Sequence, residues 1–211
     1  MKPILTAKVG NNADLFPDVL AIYAPKGGKA LDMTWGKGVF WRKVDLTRFD
    51  LIRNDIDPAL GDTHYDFRHL PEEWNSSFDL VVLDPPYASR SGSPIPSAID
   101  RAYNNRKRVD ELHVFGVDAM MRFYDDGMRQ THRVLRPRGI LVVKCMDEVM
   151  GGKQYAHHAT LISLAVCGGF LYEDLFVLVQ TGTPTMRHDH QVHARKNHSY
   201  FLVFRKPRGG G

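Results

Sequence analysis

Phe78-Asp79-Leu80-Val81-Val82-Leu83-Asp84-Pro85-Pro86-Tyr87 decides how the rest of this chain is to be read. Leu80 to Leu83 is a continuous β-favouring run, the kind of strand buried on both faces of a parallel sheet. Pro85 and Pro86 supply no ladder N–H, so the strand stops at Asp84. A carboxylate, the Pro85 carbonyl and the Tyr87 ring are thereby presented at the carboxyl end of a buried strand, where open α/β sheets bind ligands. A strand followed by a Pro-Pro turn is ordinary. An acid, two prolines and an aromatic in this order, directly after the strand, favour a functional site.

Asp84-Pro85-Pro86-Tyr87 resembles the catalytic motif of the amino-group methyltransferases, which methylate adenine N6 or cytosine N4 with S-adenosylmethionine. The resemblance implies that Asp84 and the Pro85 carbonyl accept the two hydrogens of an exocyclic amine. An aromatic amine is a poor nucleophile because its lone pair is delocalised. Two preorganised acceptors favour a pyramidal nitrogen that can attack a sulfonium methyl. Tyr87 would stack on the target base, which must leave a duplex to reach such a pocket. Pro86 completes the motif.

Upstream, Lys29-Ala30-Leu31-Asp32-Met33-Thr34-Trp35-Gly36-Lys37-Gly38-Val39-Phe40-Trp41 reads as a strand ending at Asp32 and a glycine turn. Missing side chains in such a turn let backbone N–H groups approach a ligand. The dinucleotide fingerprint needs a third glycine where this chain has Trp41, so a pyrophosphate site is disfavoured. The pattern resembles the first motif of S-adenosylmethionine enzymes, which places Asp32 against the methionine ammonium and Thr34, Gly36 and Gly38 around the cofactor. Phe49 to Ile56 reads as a second strand ending in acids. Asp55 lies at about the separation from the glycines at which an acid accepts from ribose hydroxyls, with Asp57 its competitor. A third short strand is expected around His64 to Arg68. There the resemblance implies that Asp66 contacts the adenine amine and Phe67 walls its ring. Helical spacing of Leu15, Val19, Ile22 and Tyr23 predicts a short helix from Asp14, and residues 1–12 read as a loose arm. In the family an upstream segment holds the methionine end of the cofactor, a part open to Phe16 and Tyr23.

Residues 88–116 lose the apolar rhythm and carry Arg90, Arg101, Tyr103, Arg106, Lys107 and Arg108. Long polar connections at this edge tend to be functional, and basic residues with an interleaved tyrosine suit phosphate contact and stacking. This segment is the expected lid or target-recognition loop, with Arg90, Arg106, Lys107 and Arg108 as substrate contacts; a solvated helix face is the bland alternative. Val117–Val134 and Gln154–Gly168 are expected helices, and Gly139–Cys145, Glu173–Gln180 and Ser199–Arg205 expected strands. Lys144, at a strand end, is open to the substrate side, although strand-end lysines usually point to water. The loop before Ser199 holds His188, His190 and His193, which lack the cysteine partners or helical pairing of a metal site. Its Arg195 and Lys196 are expected on phosphates.

The chain has 211 residues, 43% hydrophobic and 25% charged, with net charge +4 and pI about 9.1. This is ordinary globular composition with a mild basic excess that fits nucleic acid. Cys145 and Cys167 cannot make a disulfide framework, so a reducing cytoplasm and two buried thiols are expected. No run reaches membrane-spanning length. The alternation of strands and helices predicts one Rossmann-like α/β domain, doubly wound on a seven-stranded mixed sheet. The resemblance implies a class I methyltransferase acting with S-adenosyl-L-methionine and no metal on DNA, adenine N6 foremost because an aspartate opens the motif. Cytosine N4 in DNA, guanine N2 or adenine N6 in RNA, and a non-catalytic nucleic-acid-binding subunit stay open.

Overall fold

The computed structural model describes residues 3–85, 116–182 and 192–209. In chain order these form β1 (Ala7–Val9), α1 (Asn12–Tyr23), β2 (Gly28–Asp32), β3 (Phe49–Arg53), β4 (Phe78–Leu83), α2 (Gly116–Val134), β5 (Leu135–Cys145), β6 (Glu148–Met150), β7 (Lys153–Tyr155), α3 (His157–Cys167), β8 (Leu171–Val179) and β9 (His198–Arg205). Seven strands make one mixed sheet in the order β1-β8-β9-β5-β4-β2-β3, while β6 and β7 form a separate hairpin. β3, β2, β4 and β5 run parallel, and β9 lies antiparallel between β5 and β8. The seven-stranded doubly wound sheet expected from the sequence is the sheet observed.

One of its seven members differs. No strand forms at His64–Arg68; a single bridge, Thr63 beside Asn54, lies just before it. The supposed loose arm supplies the seventh strand instead. β1 runs parallel to β8 with Ala7 opposite Val177, and Gly10 N donates to Val179 O at 3.0 Å. Lys8 fastens the arm to α1 through Asp18 at 2.5 Å. The His64–Arg68 segment has too few alternating apolar residues to bury a strand face, whereas β1 gains an open edge of β8 to pair with.

The sheet is apolar on both sides. Leu31, Val81, Leu83, Leu141 and Val143 pack with Tyr124 and Met128 of α2 and Leu161 of α3. On the other face Ala30, Leu80, Val82, Val142 and Phe201 pack with Leu15, Phe16 and Val19 of α1 and with Phe40 and Trp41. Full burial of one such side chain stabilises by about 1.5–3 kcal/mol, so the central strands are a rigid base for what lies at their ends. α1 begins at Asn11, whose side chain accepts from Ala13 N while Asp14 accepts from Asn11 N, both at 2.9 Å. This reciprocal cap explains why the helix starts before Asp14. Cys145 is buried as expected, but Cys167 is exposed at the last turn of α3. No helix among the described residues is long and apolar enough to cross a membrane.

Candidate active site at the carboxyl edge of the sheet

Parallel register brings the ends of β2, β3 and β4 to one edge, with Asp32 level with both Arg53 and Val82. Asp32 is 4% exposed. Its Oδ2 accepts from Trp41 Nε1 at 2.8 Å and its Oδ1 from Thr34 N at 3.1 Å. Burial pushes this carboxyl up to about 7; the two donors pull it down, and the charges of Asp84 and Asp55 add to the rise.

The glycine turn after β2 is held from below. Asp55 Oδ2 accepts from Gly36 N at 2.7 Å, and Asp55 Oδ1 accepts from Asp57 N at 3.0 Å. Asp57 accepts from Ala59 N in the turn that follows, while Asp55 is the acid that meets the glycine loop. Gly38 sits at φ +61°, and a Cβ there would come within 2.4 Å of the Trp35 ring. Only glycine fits such a left-handed, crowded position. Thr34 joins the two motifs: its Oγ accepts from Asp84 N at 2.7 Å. The N–H that leaves the ladder at Asp84 is thereby satisfied by the first motif.

Asp84 is half-buried and Pro85 buried at the end of β4. Pro86, Tyr87, Arg90, Arg106, Lys107 and Arg108 lie outside the described residues, as do His188, His190 and nearly all of the segment 88–116. Asp66 is clamped by Arg68, whose Nη2 donates at 2.7 Å. Phe67 is 6% exposed and packs edge-on against Phe123 at 4.7 Å between centroids; its ring belongs to the core under α2 and is not an open wall. Phe16 and Tyr23 likewise have partners within the fold. Phe16 is fully buried against Phe40 and Trp41, and the Tyr23 hydroxyl donates to Asp174. Aromatic side chains on a short amphipathic helix serve the core here, as they most often do.

No protein-family model matches the chain, and no curated protein matches it in sequence. Solved structures do match its fold. TrmN from Thermus thermophilus aligns at TM-score 0.56 and 16% identity over 91% of this chain and 48% of its own. An S-adenosylmethionine-dependent methyltransferase from Methanosarcina mazei aligns at TM-score 0.54 and 11% identity, over 90% of this chain and 97% of its own. The chain has the class I methyltransferase fold. The cyclase SpnF shares this fold at TM-score 0.57 and 16% identity, over 93% of this chain and 82% of its own, so fold and reaction are separable. The chain spans about half the length of TrmN.

In this class I fold the edge carries side chains that sequence reasoning passed over. Asn54 is fully buried after β3. Its Nδ2 donates to Met33 O at 3.1 Å and Tyr65 O at 2.9 Å; its Oδ1 accepts from Thr63 Oγ and Tyr65 N. Lys144 does not face water; it is 4% exposed in β5. A lysine inside the unbroken run Ile140–Cys145 was the available signal. Beyond β5, Asp147 accepts from Tyr200 Oη at 3.2 Å and pairs with His158 Nδ1 at 2.7 Å, and His198 Nε2 meets the same tyrosine hydroxyl at 2.9 Å. Arg195 is exposed and Lys196 half-exposed in the loop entering β9. His193 Nε2 donates to Gly152 O at 2.8 Å, which draws this loop against the β6–β7 turn. Among the described residues no group of three His, Cys, Asp or Glu side chains is arranged to hold a metal ion.

Proposed function

We propose that the chain transfers the methyl group of S-adenosylmethionine to an exocyclic base amine in nucleic acid, adenine N6 in DNA foremost. The observation that carries this reading is the junction of Asp84 and Pro85 with the first motif through Thr34. The half-buried Asp84 and the buried Asp32 then share one sheet edge. The edge is rich in carboxylate and suits a cationic ligand: Asp32 and Asp55 are both buried, and S-adenosylmethionine carries a sulfonium and an ammonium. The cofactor supplies an electrophilic methyl on sulfur.

The chain's own part is to hold the amine. Asp84 and the Pro85 carbonyl accept its two hydrogens, which localises the lone pair and orients it at the reacting centre. Asp84 need not abstract a proton beforehand, because a methylated amine cation loses its proton readily. Asp32 takes the ammonium end, Asp55 the ribose side with the Gly36–Gly38 turn, and Asp66 the adenine edge of the cofactor. Tyr87 stacks on the target base. Arg90, Arg106, Lys107 and Arg108 of the segment 88–116, with Arg195 and Lys196, take phosphates.

Tritium transfer from labelled S-adenosylmethionine into matched DNA and RNA pools, followed by nucleoside analysis, tests this directly. N6-methyldeoxyadenosine is the expected product. Label confined to RNA would move the substrate and keep the chemistry; no label in either pool would sink the reading. Asp84→Ala should lower transfer at least about 100-fold, the scale of losing one preorganised partner of the reacting group, while cofactor affinity changes less than about threefold. Loss of both would make Asp84 structural.

A further inference from the structure

Lys144 is the only lysine or arginine among the described residues that is buried. Register places it opposite Phe201 of β9, and its ammonium stands over that ring, 5.1 Å from the centroid. Its carbonyl accepts from Tyr124 Oη at 2.9 Å, which fixes the backbone from which the side chain springs. Among the described residues the ammonium has no carboxylate at ion-pair distance and no hydrogen-bond acceptor. A buried cation in that state is costly unless an opposite charge is near.

The neighbouring strand carries that charge. Val82 pairs with Val142 and Leu83 with Val143, so the next step along both parallel strands brings Asp84 beside Lys144. Adjacent strands lie about 4.8 Å apart, and residues at one register position share a face. For this pair it is the face of Val82, Val142 and Phe201, whose nearby side chains Phe16, Phe40 and Trp41 bear no charge. Among the described residues the charged or titratable groups around Lys144 are few. Asp84 stands at the end of β4, with Asp32 and Asp55 beyond it. Cys145 and Tyr124 are held neutral, since burial pushes both their pKa values well up.

We propose that Lys144 is a positioning residue: a buried countercharge that keeps the Asp84 carboxylate ionised among the carboxylates of the site. It opposes the repulsion from Asp32 and Asp55, which favours a protonated Asp84 that presents a donor to an amine that also donates. Burial pushes the Lys144 ammonium down to about 8, and Asp84 is the foremost charge acting against that fall. The role of Asp84 in transfer rests on the function proposed above; the coupling of the two side chains is a property of the free protein and is tested there.

The full chain, labelled at aspartate 13Cγ and free of cofactor and nucleic acid, gives the Asp84 midpoint, with its resonance assigned by loss in Asp84→Asn. Lys144→Met should raise that midpoint by about one pH unit or more, the effect of removing a close opposite charge. Coupling is reciprocal, so Asp84→Asn should lower the midpoint read at Lys144 13Cε by a similar amount, and this arm serves even if Lys144→Met does not fold. Midpoints that stay within about 0.3 units of wild type would overturn the proposal. In the transfer assay Lys144→Met should move the acid limb of kcat upward by the same shift, with KM for nucleic acid unchanged. A wild-type protein that transfers nothing would fail the methyltransferase reading and leave the carboxylate titration to decide the role of Lys144.

Discussion

Asp32 shows how a single residue can tie stability, protonation and ligand affinity together. Its carboxyl is raised from an ordinary 3.8 to about 7, first by burial. Between those values the unfolded chain has lost this proton and the folded chain keeps it. The contribution of Asp32 to stability therefore falls as pH rises from about 4 to 7 and is level above. A cation bound beside it reverses the balance by favouring the charged form. S-adenosylmethionine should then bind more tightly as pH rises, approaching about tenfold per unit below 7 and flattening above. Isothermal titration calorimetry in buffers of different ionisation enthalpy checks this through proton release near one per site at pH 6. A flat profile, with no proton released, would separate Asp32 from the cofactor. Trp41 is the other half of the device, since its indole N–H is the donor that lets a carboxylate stay buried at all.

Among the elements, the end of β2 and the segment after β3 are joined by one side chain rather than by a strand. Asn54 satisfies every donor and acceptor of its amide across the ends of β2 and the segment 63–65. It does the work that ladder bonds would have done at a third strand beside β3. Asn54→Ala strips these partners in a water-free place, where each group left unsatisfied costs about 1–3 kcal/mol. The expected loss is about 3 kcal/mol or more of unfolding free energy, read from the urea midpoint with an unchanged m-value. A loss below about 1 kcal/mol would mean that water replaces the amide freely. Sequence reading saw β2, β3, β4, β5, β8 and β9 because each is an apolar run bounded by acids, glycines or prolines. It could not see Asn54, since nothing local tells a buried asparagine from a turn residue. Nor could it see β1, whose three residues gain their structure only from the exposed edge of β8.

For the molecule as a whole, net charge +4 says little until its distribution is known. The β9 entry loop, which carries Arg195 and Lys196, meets the β6–β7 turn through His193 and Gly152. Replacing Arg195 and Lys196 together with Gln should weaken nucleic-acid binding. On duplex DNA it should reduce the slope of log K against log salt by about 1–2, since each phosphate contact contributes about 0.9. Fluorescence anisotropy over a salt series reads both quantities. An unchanged slope would move the phosphate contacts to the basic segment between Arg90 and Arg108.

Local pattern alone carries six of the seven strands and the order of motifs. Apolar runs of period two, helical stripes and the stops imposed by Pro85, Gly36 and Gly38 are local consequences of backbone sterics and burial. Tertiary structure decided which side chains the edge of the sheet keeps. It sent Phe16 and Phe67 into the core, clamped Asp66 with Arg68, and set Asp55 rather than Asp57 under the glycine turn. It buried Lys144 in β5, where a strand end most often sends a lysine to water. The physical reason is register: which residue of β4 lies next to which residue of β5 depends on how two distant strands pair. A shift of one position would have put Lys144 on the opposite face, among Leu141, Val143 and Tyr124.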